Sequence, residues 1–78
     1  MTKINRSMVV GGGEVDFTSQ YQEREKRGRV SLRYKDNRFE VYVYWFNDKT
    51  EQVLHYSQTL ADCIEFTNAR FGLTDTVG

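Results

Sequence analysis

Seventy-eight residues confine the chain to one small domain, near the lower limit at which a hydrophobic core suffices without a staple. Eleven basic residues balance eleven acidic ones, which removes the overall positive excess that a small nucleic-acid binder usually carries. A single cysteine, Cys63, excludes an intramolecular disulfide and a cysteine-based metal site, and no apolar run approaches a membrane span, so a reducing cytoplasm is the expected location.

Apolar residues are scarce at 38% but aromatic ones plentiful at 14%, so the core has to be built from a few large rings. Proline is absent, and turns therefore fall to glycine, asparagine and aspartate. Charge is unevenly spread. Residues 24–38 hold seven basic side chains against two acidic, whereas residues 39–78 hold two basic against six acidic.

In chain order, residues 1–13 read as a flexible arm ending in Gly11-Gly12-Gly13. A single α+β domain is expected over 14–73, followed by a frayed tail over 74–78. Residues 14–24 fit a strand, with Val15, Phe17, Ser19 and Tyr21 on one side, better than a helix, which would bury only Tyr21. Lys26-Arg27-Gly28 is then a turn with its glycine in the left-handed region.

Arg29 to Lys35 alternates cleanly, and Asp36-Asn37 makes a two-residue turn because both residues tolerate positive φ. The register follows: Tyr34 opposite Phe39, Leu32 opposite Val41 and Val30 opposite Val43 on one face. The other face sets Arg33 against Glu40, Ser31 against Tyr42 and Arg29 against Tyr44. Phe39 to Phe46 is apolar on both sides and belongs in the middle of the sheet. A turn at Asn47–Thr50 leads to a last strand from Glu51 to Ser57. Pairing Phe46 with Glu51 sets Leu54 across from Val43 and Tyr56 across from Val41, leaving Val53 and His55 beside Tyr44 and Tyr42.

Thr59 reads as an N-cap, with Asp62 in the first turn of a helix from Leu60 to Phe71 that stops at Gly72. Leu60, Cys63, Ile64, Thr67 and Phe71 form its apolar stripe, with Phe66 to one side. The expected fold class is α+β: an antiparallel meander of three to four strands with one C-terminal helix across one face.

One helix covers one face only. The other face carries Arg29, Arg33, Tyr42, Tyr44, Phe46, Val53 and His55, an aromatic patch larger than a monomer of this size usually exposes. The arm with Val9 and Val10 could cover it, a second copy could pack on it, or it could bind a ligand. A homodimer through this face is the expectation.

Catalytic chemistry finds little support. His55 is the only histidine and has no carboxylate neighbour in this register, Cys63 falls in the helix stripe, and the triple glycine lacks the lysine and hydroxyl residue of a phosphate loop. No catalytic residue, metal ligand or cofactor is assigned. Two binding functions remain. Tyr42, Tyr44 and Phe46 could stack on single-stranded bases while Arg29, Arg33 and Lys35 hold phosphates. In its order of elements, strands then one helix, the chain resembles small coactivators that bind single-stranded DNA as dimers, though none of their motifs is present. The preferred function is a non-enzymatic protein-binding module, an adaptor, inhibitor or accessory subunit, because tyrosine, tryptophan and arginine favour protein interfaces.

Overall fold

A computed structural model describes residues 3–16 and 28–78. Its elements run β1 (Lys3–Ile4), α1 (Arg6–Val10), β2 (Val15–Asp16), β3 (Gly28–Lys35), β4 (Arg38–Trp45), β5 (Thr50–Ser57), α2 (Leu60–Phe71) and β6 (Thr76–Val77). Strands β2-β3-β4-β5 form one antiparallel sheet in that order, and β1 pairs with β6 in a separate parallel ribbon. With α2 laid over β4 and β5, the domain is a two-layer α+β fold.

The hairpin is set by its turn. Asp36 and Asn37 take φ of 54° and 62°, the left-handed pair that matches strand twist in a two-residue connection. This fixes the expected rungs between β3 and β4, from Arg29 opposite Tyr44 to Tyr34 opposite Phe39. The Tyr34 and Phe39 rings meet edge to face at 4.9 Å.

Helix α2 also forms where its end signals place it. Thr59 Oγ1 accepts the Asp62 amide at 3.3 Å, and Gly72 closes the helix at φ 69°. Leu60, Cys63, Ile64 and Thr67 face the sheet, and the buried cluster joins them to Val30, Leu32, Phe39, Val41 and Val43.

Three expectations are corrected. Residues 3–10, read as part of a flexible arm, are built into the helix-side core: Ile4 and Val9 are fully buried there. Burying two such side chains stabilises the fold by roughly 1.5–3 kcal/mol each, which offsets the ordering of the segment. The tail does not simply fray either. Lys3 pairs with Thr76 and Ile4 with Val77, while Asn68 of α2 clamps the Asp75 backbone, donating to its carbonyl at 2.9 Å and accepting from its amide at 3.0 Å. Gly28, read as a turn residue, opens β3 opposite Trp45. A Cβ there would meet Val43 Cγ2 at 2.7 Å and the Tyr44 carbonyl oxygen at 2.9 Å, so closeness to a neighbouring strand explains the glycine. The strand expected over 14–24 is seen as Val15–Asp16, and its remainder, with Lys26 and Arg27, lies outside the described residues.

Two measurements check this packing. Gly28→Ala should lower the unfolding free energy measured by chemical denaturation by about 1–3 kcal/mol, since the added methyl meets backbone as well as side chain. Asp75→Asn should raise it by about 1 kcal/mol, because Asp75 is buried and neither carboxylate oxygen has a hydrogen-bond partner among the described residues.

Candidate protein-binding face

Alternation sends Arg33, Glu40, Tyr42 and Tyr44 to the face opposite α2. The most constrained of them is Glu40, buried at 3% exposure on the central strand. Arg33 Nε reaches its Oε1 at 2.9 Å from β3, and Arg38 reaches its Oε2 from two residues earlier on β4, at 2.9–3.0 Å. Burial alone would raise the pKa of this carboxyl, but the hydrogen bonds from Arg33 and Arg38 outweigh it. Glu40 is held below its ordinary value.

Arg33 has a second task. Its guanidinium lies 4.0 Å over the Tyr42 ring and its Nη1 contacts Glu51 Oε1 of β5 at 2.9 Å. One side chain thus ties three strands together. Tyr42 is sealed, at 2% exposure, and its hydroxyl donates to Glu14 Oε1 at 2.6 Å. Burial pushes that hydroxyl up to about 12, with Glu14 adding to the shift and Arg33 opposing it. Arg38 covers the Tyr56 ring at 4.1 Å.

The pairing of β4 with β5 departs from expectation. It runs Tyr44 opposite Glu51 and Tyr42 opposite Val53, then slips, so that Val41 meets His55 and Glu40 meets Tyr56. Leu54 is the extra residue of a β-bulge. Beyond it every side chain changes face. His55, expected beside Tyr42 and Tyr44, lies instead on the helix side, stacked on Phe66 at 4.5 Å between centroids and 3.1 Å from Asp62 Oδ2. Hydrogen bonds from His55 and then Ser57 hold the Asp62 carboxyl below its ordinary value. Tyr56, expected against the helix, takes the vacated position on the open face.

Of the expected site residues, the structure brings Arg33, Tyr42, Tyr44, Phe46 and Val53 onto one face and excludes His55. Arg29 is exposed, opposite Tyr44. Tyr44 is half-buried, its ring 6.0 Å from that of Phe46. What remains exposed is a strip along the β5 side: Phe46 at 50%, Val53 at 39% and Tyr56 at 58%. A shallow open groove lined by Arg38, Val53, Leu54, His55 and Tyr56 runs beside the bulge. Sequence reasoning missed Glu14, Arg38 and Tyr56 as members of this face. Arg38 could have been found, since it stands two residues before Glu40 on the same strand; Tyr56 could not, because the bulge decides its side.

Among the described residues no group of three His, Cys, Asp or Glu side chains gathers to hold a metal ion, and no helix is long and apolar enough to cross a membrane. Cys63 is buried with its thiol pushed up to about 12 by burial, and it donates to the Phe39 carbonyl at 3.6 Å.

The ionic lattice is open to a direct check. Arg33→Ala leaves Glu40 with Arg38 alone and uncovers Tyr42, and should cost about 3 kcal/mol in chemical unfolding. The sign with pH follows from the lowered Glu40 value: its contribution is complete above the ordinary carboxylate range and is lost as pH falls through the depressed value. Acid unfolding of Arg33→Ala should therefore begin at higher pH than in the parent chain. An unchanged acid limb would contradict this assignment.

No protein-family model, curated protein or solved structure matches this chain, and its function has to be read from the geometry of the face.

Proposed function

We propose that this chain is a small non-enzymatic protein-binding module whose contact surface is the strip formed by Tyr44, Phe46, Val53 and Tyr56. The observation that carries the reading is the division of the open face into a neutralised, sealed half and an exposed apolar one. Arg33 and Arg38 are spent on Glu40 and Glu51, and Tyr42 is buried beneath Arg33. The exposed half is tyrosine, phenylalanine and valine beside a partly exposed arginine, the composition of an interface hot spot.

The same division weighs against stacking on single-stranded nucleic acid. A ring at 2% exposure has no face to offer a base, and an arginine already paired with two carboxylates has no uncompensated charge with which to neutralise a phosphate and displace its condensed counterions.

A photo-crosslinking side chain at position 53 should capture a protein partner from native extract. Phe46→Ala and Tyr56→Ala should each weaken binding of that partner about tenfold or more, chiefly by faster dissociation. Titration with mixed single-stranded oligonucleotides at low and high salt supplies the opposing result. Micromolar binding at low salt that vanishes at high salt, weakened by Arg29→Ala and Lys35→Ala, would replace the protein partner with a nucleic acid.

A further inference from the structure

Helix α2 carries a second stripe beside its buried one, in which only Phe66 packs against the core, and that ring is half-buried. Asp62, Phe66 and Arg70 recur at every fourth residue and so lie along one flank, advancing about 40° per step. That flank overhangs β5, because Asp62 and Phe66 both contact His55 of that strand. Strand β5 ends the sheet, and among the described residues no strand pairs with its outer side. One side of the molecule therefore presents an open backbone edge and, above it, a helix flank with an acid, a half-buried ring and a base in order.

That order is self-complementary. When two such helices lie antiparallel with Phe66 at the two-fold axis, position 62 of one faces position 70 of the other, an acid against a base at both ends. We propose that the occupant of this edge is a second copy of the chain, with β5 beside β5 and α2 antiparallel to α2. Asp62 then faces the partner subunit's Arg70, Arg70 faces the partner subunit's Asp62, and the two Phe66 rings meet between them.

Charge raises no barrier to this association. The chain is neutral overall, and the two acidic or basic side chains of β5, Glu51 and His55, are already held within their own subunit by Arg33 and Asp62. The spacing also fits. Adjacent strands stand about 4.8 Å apart, so helices centred over β4 and β5 of each copy come to within roughly 10–14 Å, close to helix-packing distance. The bulge at Leu54 interrupts the ladder near the axis, which limits backbone pairing there and leaves the helix flank to supply part of the contact. The proposed binding strip lies on the other face of the sheet: Tyr44 and Phe46 are off the edge strand, and Val53 and Tyr56, though on β5, stand opposite Tyr42 and Glu40 on the side away from α2.

Sedimentation equilibrium of the full chain at about 100 µM should give twice the chain mass. Arg70→Glu sets Asp62 against a like charge at both ends, and should weaken self-association about tenfold or more. Asp62→Lys should do the same, and an equimolar mixture of the two variants should recover a dimer containing one of each, because both ends are again oppositely charged. Far-UV circular dichroism establishes that each variant is folded. If Asp62→Lys does not fold, the comparison of Arg70→Glu with the parent chain decides alone. A parent chain that stays monomeric at this concentration overturns the proposal. So does an Arg70→Glu variant that associates as tightly as the parent, or a mixture of folded variants that yields no mixed dimer. A dimer lost on Tyr44→Glu but not on Arg70→Glu would place the contact on the open face instead, and would also refute it.

Discussion

A carboxylate buried on the central strand organises half of this protein. Glu40 would cost several kcal/mol if left unpaired in the sheet, and the chain answers with an arginine on each side. Everything else on that half of the face follows from satisfying it. Arg33 must lie flat across Tyr42 to reach both Glu40 and Glu51, so Tyr42 is covered, and its hydroxyl then takes Glu14 as acceptor. Arg38, turned toward Glu40, comes to rest over Tyr56. An aromatic surface that would otherwise be wide and open is reduced to a strip beside β5.

The bulge at Leu54 is the second constraint, and it links the sheet to the helix. A single extra residue reverses the facing of the last part of β5, bringing His55 under α2 and Tyr56 out to the open face. His55 then contacts both the first turn of α2, through Asp62, and its middle, through Phe66. The edge strand is thereby fastened to the layer above it by side chains as well as by the ladder to β4. The same bulge blunts the outer edge, a common protection against indiscriminate strand pairing.

A domain this small has little apolar area to spare, and the chain ends supply some of it. Ile4 and Val9 complete the core, with α1 set against β3, while the β1–β6 ribbon and the Asn68 clamp hold the two ends to one another and to the helix. Asp75 works against this closure, since its carboxylate is buried without a hydrogen-bond partner among the described residues. The pairing of ends is made in the backbone, so that side chain can be changed without loss of the ribbon.

By itself the sequence determined the elements whose signals are local. Asp36-Asn37 specified the hairpin and every rung between β3 and β4, because two residues tolerant of positive φ admit one register. Thr59, Asp62 and Gly72 specified both ends of α2, and apolar spacing specified its buried stripe. The Arg33–Glu40 pair was legible for the same reason, as a rung of that hairpin. Only the tertiary structure decided what depends on residues far apart in the chain. No pattern in Thr50–Ser57 announces a bulge, and alternation alone placed His55 on the face it does not occupy. No local signal shows that Ile4 will find the tail, that Gly28 is required by the Tyr44 carbonyl, or that Arg33 will cross a ring to reach Glu51. Local conformational preference fixes turns and caps, whereas burial and charge compensation are settled only when distant segments meet.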